Sequence, residues 1–242
     1  YIPNYKEFYE KRWFTSAQVL GDDAELRFCG QTVPLTRNIL FSTSHCTFGI
    51  EICEDLWAPV PPSNHLALAG ADIVFNLSAS NELIGKAGYL RNLVVNQSAR
   101  LIAGYVYAGC GYGESTQDLV FSGRAYIAEN GTLLAEAKRF AMHEQMVCSE
   151  IDVERLRAER RVNTTFASAV NVEGIKHIRE VELEPFSSNV PFNLSRFVDA
   201  HPFVPEGAEL DERCEEIVSI QSEALARRIE HTHAKTVVVG IS

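Results

Sequence analysis

A cysteine stands at the point where an apolar run ends. Residues 48–52 are typical of a β-strand, and Cys53 follows them, with Glu54 and Asp55 directly after it. A thiol at the end of a strand can be held on a tight turn, where the next backbone N–H groups face an incoming carbonyl. This pattern is that of a nucleophile. Because free cysteines usually lie in protein cores, a buried strand-end thiol is the other interpretation of the same residues.

A nucleophilic thiol also requires a base that ionises it and groups that hold the oxyanion. The chain has seven histidines, but none of them occurs in a motif that indicates pairing with Cys53. A Cys–His enzyme is therefore weakly supported. Glu51, Glu54 and Asp55 could belong to a glycosidase pair or a cation site. Acidic residues at a strand-to-helix turn more often cap the helix, and capping is our expectation for all three.

Two further patterns are given structural interpretations. The glycines of residues 109–113 have a G-x-G spacing but no surrounding nucleotide-binding unit, which favours a flexible loop. The arginines of residues 155–161 alternate with glutamates, which predicts an exposed helix face and not an anion site. The six cysteines lack a C-x-x-C pair, and His231 and His233 are the only close histidine pair. We therefore expect no metal site, and mostly reduced, buried thiols.

The elements that position these residues alternate between short strands and helices from about residue 23 to 204, which predicts a layered α/β fold. The strand candidates share an apolar, β-branched composition; they are Glu25–Phe28, Ile39–Ser42, Cys46–Ile52, Ile73–Ser78, Ile102–Ala108, Leu119–Ala128 and Met146–Ile151. Residues 87–99 have the spacing of an amphipathic helix. Residues 129–131, Glu-Asn-Gly, predict a hairpin turn, so the sheet is expected to be mixed.

The character of the chain changes after Val153. A charged helix over residues 154–161 is followed by a polar stretch to Pro205 that contains Pro185, Pro191 and Pro202. A second unit is then predicted, with an amphipathic helix over residues 211–230 and a strand over 235–242. Because that strand has no later partner, we expect the chain to be a piece of a longer protein.

The overall composition excludes several classes of protein. Of the 242 residues, 22 are Lys or Arg and 32 are Asp or Glu, which gives a formal net charge of −10. Such a field disfavours binding to nucleic acid. No apolar run approaches the roughly 18–20 residues of a membrane span, and no signal-peptide pattern is present. We therefore expect a cytoplasmic protein without a membrane or nucleic-acid partner.

Four motifs together resemble one known family. They are the Tyr1–Phe14 run (Y-I-P-N-Y-x-x-F-x-E-x-R-x-F), Gly49–Trp57 (G-I-E-I-C-E-D-L-W), Asn76–Ser80 (N-L-S-A-S) and Leu119–Gly123 (L-V-F-x-G). In this order they are similar to the nitrilase-like glutaminase domain of the glutamine-dependent NAD(+) synthetases. The resemblance implies an α-β-β-α sandwich, N-terminally incomplete, over residues 1–160. It further implies a connecting segment over 161–205 and the first helix and strand of a Rossmann-like synthetase domain over 206–242.

The resemblance also implies roles for individual residues. Cys53 matches the nucleophile that forms a thioester with the glutamine side-chain amide, and the backbone N–H of Glu54 matches an oxyanion donor. The positions that would line the glutamine pocket are Tyr5, Glu54, Trp57, Ser80 and Lys86. Lys86 has an equally good interpretation as a solvated residue at the start of the helix that begins at Ala87.

One departure from the family pattern affects activity. The family's general-base Glu and its oxyanion-binding Lys would both precede Tyr1, so no residue of this chain matches them. We therefore expect the fragment alone to have negligible glutaminase activity, no cofactor within it, and an ATP and Mg²⁺ site in the missing synthetase part. Self-association into a homo-oligomer is expected, because the absent strands would leave sheet edges and apolar faces exposed.

The expected partners are glutamine and the synthetase domain of the same chain, to which the glutaminase would supply ammonia for the ATP-dependent amidation of deamido-NAD+. Two alternatives stay open. One is a stand-alone nitrilase-type amidase or carbamoyl hydrolase, and the other is a non-catalytic interaction domain.

Overall fold

The computed structural model describes residues 1–21, 24–114, 119–173, 178–185, 192–204, 207 and 210–240. These residues form two compact units, Tyr1–Arg196 and Phe197–Ser242, and each unit is described by itself. The first unit thus extends beyond residue 160, and the predicted domain boundaries stay predictions.

Unit 1 is organised around a seven-stranded mixed sheet. Its strands and those of a separate hairpin are β1 (Glu25–Phe28), β2 (Gln31–Pro34), β3 (Ile39–Ser42), β4 (Thr47–Ile52), β5 (Ile73–Ser78), β6 (Gly104–Gly109), β7 (Ala125–Glu129), β8 (Thr132–Glu136) and β9 (Arg179–Glu182). The sheet order is β8-β7-β6-β5-β4-β3-β9, and β1 pairs with β2 alone. The central β4, β5 and β6 are parallel, whereas β3, β7 and β8 pair antiparallel with their preceding or following strands.

Four helices belong to this unit. They are α1 (Pro62–Leu68), α2 (Lys86–Leu101), α3 (Val153–Val162) and α4 (Thr164–Glu173), accompanied by short 3₁₀ turns at Glu10–Arg12, Ala17–Val19 and Cys53–Trp57. Helices α1 and α2 connect the parallel strands, as parallel pairing requires. Their apolar side chains, with Leu90 and Val94 at the centre, pack on Val74 and Tyr105 of the sheet. The core thus lies between the helices and one sheet face.

The opposite face of the sheet is apolar and open. Side chains alternate along each strand, so residues next to buried ones point away from the helices. Ile50, Ile52 and Leu77 are exposed large hydrophobic residues on this face. The expected layered α/β fold with a mixed sheet and an exposed apolar face is therefore confirmed, while the predicted self-association stays a prediction.

Several predicted elements were accurate and others were wrong. Asn130 and Gly131 form the β7–β8 turn with positive φ, as expected. Residues 146–151 form no strand, because they pair with no neighbour and Ile151 packs over Gly104 instead. The strand predicted over 119–128 begins only at Ala125.

The predicted connecting segment contributes to unit 1. Within residues 161–205, α4 contacts α1 and α3, and β9 extends the sheet by pairing in parallel with β3. A strand of four residues carries too little pattern to indicate a partner about 140 residues earlier in the chain. Local periodicity therefore gave no sign of this pairing.

The arginine-rich helix α3 is mostly exposed, as predicted, but two of its arginines also bind buried groups. Arg157 donates to the buried carboxylate of Asp72 at 2.9 and 2.6 Å. Arg160 donates to the carbonyls of Ala71, Leu101 and Ile102, and burial lowers its pKa to about 10. Arg160 thus satisfies the carbonyl groups of Leu101 and Ile102 at the end of α2, which no helical partner reaches.

The cysteines are free, but the prediction that most of them are buried was wrong. Cys29, Cys148 and Cys214 are exposed, and the remaining three are half-buried.

Unit 2 contains one long helix, α5 (Leu210–Thr232), with no buried side chain. Residues 235–240 do not form the predicted strand, and 241–242 lie outside the described residues. An apolar segment becomes a strand only when its backbone pairs with another, and the described residues of this unit supply no partner. The Rossmann-like domain stays a prediction. Across the described parts of both units, no helix combines the length and hydropathy that a bilayer span requires.

Candidate active site

Cys53 occupies a strained turn at the carboxyl end of β4. It is the first residue of a 3₁₀ turn, and its φ of 46° lies in the left-handed region that β-carbon-bearing residues seldom adopt. Asp55 stabilises the turn by accepting the backbone N–H of Ile52 at 2.9 Å. The strand-to-turn geometry leaves the Cys53 side chain half-buried at the wall of a cavity. A nucleophile at a sharp strand-end turn has this exposure.

The cavity has a volume of about 840 Å³ and combines an apolar wall with a few charged groups. Its size falls within the range of small-molecule sites. The predicted site residues that line it are Tyr5, Cys53, Glu54, Trp57, Ser80 and Lys86. The structure therefore brings all six together, from three separate stretches of the chain.

The acidic end of the cavity is formed by Tyr5 and Glu54. The Tyr5 hydroxyl donates to the two carboxylate oxygens of Glu54 at 2.9 and 3.1 Å. Burial and the negative charge of Glu54 raise the pKa of Tyr5 to about 12. The phenol thus stays protonated and keeps the carboxylate oriented across the whole neutral range.

The basic end is formed by Lys86, the first residue of α2. Its Nζ donates to Ser80 Oγ at 2.8 Å and to the Asn81 carbonyl at 2.9 Å. It also lies 5.0 Å from the centroid of the Trp57 ring, a cation–π distance. Burial lowers the pKa of Lys86, while the nearby thiol group of Cys53 acts in the opposite direction. Lys86 is therefore half-buried with its ammonium group hydrogen-bonded, and its role in a glutamine pocket stays a prediction.

Trp57 contributes an aromatic ring to the cavity wall beside Lys86. Its ring stacks on that of Tyr89 with centroids 5.5 Å apart and planes 19° apart. The stacking holds the indole ring in place beside the ammonium group of Lys86.

The chain has relatives among known proteins. No family model matches the chain. Over its whole length it is 37% identical to the glutamine-dependent NAD(+) synthetase of Mycobacterium tuberculosis and 39% identical to that of Mycobacterium leprae. The chain is homologous to the glutamine-dependent NAD(+) synthetases. It spans 36% of the length of these two relatives.

Solved structures agree with this homology. The crystal structure of a glutamine-dependent NAD(+) synthetase from Cytophaga hutchinsonii matches 58% of this chain and 22% of its own, with 28% identity and a TM-score of 0.50. A carbon–nitrogen hydrolase from Helicobacter pylori matches 72% of this chain and 57% of its own, with 22% identity and a TM-score of 0.54. The second likeness shows the nitrilase-like fold alone.

The NAD(+) synthetase motifs did not indicate every residue of the site. Asn81 is buried, accepts from Lys86 at 3.1 Å through Oδ1 and donates through Nδ2 to Glu7 at 2.7 Å. A backbone hydrogen bond and the Asn81 amide lower the pKa of Glu7. The asparagine next to Ser80 in the sequence was the available signal, but an asparagine in a polar loop has many other interpretations.

A buried charge cluster supports this loop from behind. Glu82 accepts from Ser122, Arg124 and Arg139, and both it and Arg124 are almost fully buried. Burial acts to raise the pKa of Glu82, but the hydrogen bonds and the two guanidinium groups outweigh it and lower the pKa. The cluster fixes the start of the segment that carries Asn81 and Lys86.

The three carboxylates near Cys53 have different environments, which corrects the expectation that all of them cap the turn. Asp55 caps it, Glu54 binds Tyr5, and Glu51 is buried on the helix-covered face of the sheet, where it accepts the N–H of Ser63 in α1. Among the described residues, no group of three His, Cys, Asp or Glu side chains is arranged to hold a metal ion.

Proposed function

We propose that this chain carries the glutamine-hydrolysing site of a glutamine-dependent NAD(+) synthetase. The observation that supports this most is the placement of Cys53, which lies in a left-handed strand-end turn on the wall of a cavity. The same cavity contains a tyrosine–carboxylate pair and a lysine. Glutamine carries an ammonium group that a carboxylate can bind, a carboxylate that a lysine can bind and a side-chain amide that a thiol can attack.

In the proposed reaction the Cys53 sulfur attacks the carbonyl carbon of the glutamine side-chain amide. A C–S bond forms, and the oxyanion is held by the N–H of Glu54, which lies in the first turn of a 3₁₀ segment and so has no partner one turn earlier. The thiol proton passes to the departing nitrogen, the C–N bond breaks, and ammonia leaves. Water then cleaves the thioester to give glutamate and the free thiol.

Substrate orientation follows from the charges of the two ends. The carboxylate of Glu54, held by Tyr5, would bind the α-ammonium group of glutamine. Lys86 and Ser80 would bind the α-carboxylate, since Lys86 is half-buried and its desolvated charge interacts more strongly than an exposed one. Both contacts are charge-assisted and together fix the amide against Cys53.

The ammonia would serve the ATP-dependent amidation of deamido-NAD+ to NAD+ in a protein longer than this chain. Identity of 37–39% to NAD(+) synthetases over the whole chain supports this assignment. We propose that the ATP and Mg²⁺ site lies in the synthetase part, and that the enzyme acts in the cytoplasm as a homo-oligomer. A thioester intermediate itself needs no cofactor within residues 1–242.

The test uses the longest protein that contains this sequence and a glutamine-derived chloroketone, which alkylates a thiol at the glutamine site. Peptide mass spectrometry should locate the label on Cys53, and excess L-glutamine should prevent it. A Cys110→Ala variant is the matched control, because Cys110 is also half-buried. Labelling that glutamine does not slow, or protection by other small amides but not by glutamine, would refute the proposal.

A further inference from the structure

A line of buried hydrogen bonds starts at the backbone N–H of Cys53 and returns to β4 at Glu51, two residues earlier in the chain. The backbone N–H of Cys53 donates to Asn76 Oδ1 at 3.2 Å, and Asn76 Nδ2 donates to the Tyr105 hydroxyl at 3.2 Å. The Tyr105 hydroxyl in turn donates to the carboxylate of Glu51. These residues lie on β4, β5 and β6, so the line crosses three adjacent parallel strands.

The direction of every bond in this line is determined by its first member. A backbone N–H is only a donor, so the amide oxygen of Asn76 must face Cys53 and its NH₂ group must face Tyr105. The Tyr105 oxygen then accepts, and its own proton points to Glu51. Bonds that all run in one direction polarise one another and strengthen together.

The side chains of this line are buried away from solvent, and its last member is hydrogen-bonded to the backbone of α1. Asn76 and Tyr105 are fully buried and Glu51 is 2% exposed, and none of these three side chains lines the cavity. The second oxygen of Glu51 accepts the backbone N–H of Ser63, the second residue of α1, at 2.8 Å. Burial raises the pKa of Tyr105 well above its ordinary value, so the hydroxyl remains a donor.

The backbone of Cys53 is where this support is needed. Its φ of 46° is unfavourable for a side chain with a β-carbon, and such conformations persist only where the surroundings hold them. Two side chains hold the backbone here. Asp55 accepts the N–H of the preceding residue, Ile52, and Asn76 accepts the N–H of Cys53 itself. That bond also occupies the Cys53 N–H, which leaves the oxyanion to the N–H of Glu54.

We infer that Glu51, Tyr105 and Asn76 are positioning residues that hold the Cys53 backbone, and with it the sulfur, in the orientation for attack on the amide. This inference rests on the proposed function. None of the three touches the substrate, so their loss should impair the chemical step and leave glutamine binding intact. A displacement of about 1 Å in a reacting atom can reduce a rate roughly 100-fold.

The first test compares Tyr105→Phe with Tyr126→Phe in the longest protein that contains this sequence. Tyr126 is equally buried and lies on the same sheet face, two strands further from Cys53 than Asn76. We expect kcat for ammonia release to fall about 10–100-fold in Tyr105→Phe, with KM for glutamine changed less than about twofold. The Tyr126→Phe variant should keep the kcat of the parent protein. Equal kcat values in the two variants would overturn the inference.

A second test asks whether the residues act as one line. Asn76→Leu removes the acceptor for the Cys53 N–H, so adding Tyr105→Phe to it should lower kcat little further. Multiplied losses in the double variant would mean independent effects and would contradict the inference.

A third readout does not depend on turnover. Amide hydrogen exchange at Cys53 should be faster in Tyr105→Phe than in Tyr126→Phe, because the acceptor is no longer held. Unchanged exchange would refute the positioning role. If the parent protein releases no ammonia from glutamine, the proposed function fails, and the exchange comparison alone decides whether the line holds Cys53.

Discussion

Replacing Glu82 by glutamine should destabilise unit 1 strongly, because it removes the only negative member of a buried cluster formed with Ser122, Arg124 and Arg139 in the described structure. The side chains of Glu82 and Arg124 are 8% and 5% exposed. Glutamine keeps the shape and one acceptor oxygen but leaves the Arg124 charge without a counter-ion. The support for the segment that carries Lys86 is then lost as well.

The magnitude follows from burial. Removing one partner of a buried ion pair costs about 3–5 kcal/mol, since the other charge remains desolvated. Arg139 is 36% exposed, so its contact adds at most about 1 kcal/mol. Because the remaining amide oxygen still accepts one hydrogen bond, we expect a loss of about 3 kcal/mol. For a cooperative unit of roughly 200 residues this lowers Tm by about 6–12 °C.

The assay is calorimetric unfolding of the variant beside Glu136→Gln. Glu136 is paired with Arg91 at 3.4 Å, but both side chains are exposed, so this control should change stability by less than about 1 kcal/mol. The pKa of Glu82 is lowered on folding, so its contribution is present above the unfolded pKa and lost as pH falls through the folded one. The difference from the parent should therefore shrink below about pH 4.5. Equal Tm values for the two variants at pH 7 would refute the reasoning.

Three further predictions concern the cavity and a nearby loop. Lys86→Met should raise KM for glutamine about 10–100-fold in ammonia-release assays, because the α-carboxylate loses a charge-assisted contact. Lys86→Arg should partly restore KM, and an unchanged KM in Lys86→Met would contradict the assignment. Tyr5→Phe should lower kcat/KM about tenfold, because Glu54 loses the hydroxyl that holds it. In the parent protein Tyr5 should show no phenolate titration below about pH 11, since its pKa is about 12. A titration of Tyr5 near pH 10 would argue against the contact with Glu54. Gly111→Ala should lower the free energy of unfolding in urea by about 1–3 kcal/mol, because its new Cβ would lie 2.9 Å from a backbone atom of the facing loop. Gly88→Ala, with open space around it, should instead stabilise α2. The reverse order of stabilities would show that the facing loop can move aside.

Much of the sheet was predictable because its signals are local. The turn at Asn130–Gly131 and the end of β4 at Cys53 depend on residues that need unusual backbone conformations or interrupt an apolar run. The pairing of β9 with β3 was not predictable in this way, because it depends on which distant segment reaches a free edge. The same limit applies to residues 146–151, whose strand-like composition found no partner.

The site was predicted in its residue types more than in its interactions. Motif resemblance indicated Cys53 and Lys86, but whether Lys86 faced solvent or the cavity depended on where α2 begins relative to the loop before it. Asn76 belongs to the Asn76–Ser80 motif. Its hydrogen bond with the Cys53 N–H, however, depends on the register between β4 and β5. Tyr105 and Glu51 have no sequence signal of a joint role, since 54 residues separate them.

The most direct measurement is the capture of the covalent intermediate. The longest protein that contains this sequence would be mixed with L-glutamine, quenched in acid within its first turnovers, digested and analysed by mass spectrometry. The account predicts a glutamyl thioester on the peptide that contains Cys53, absent from a Cys53→Ala variant and retained in Cys110→Ala. Glutamine turnover without an adduct on Cys53, or turnover that survives Cys53→Ala, would contradict the central claim that this sulfur attacks the amide.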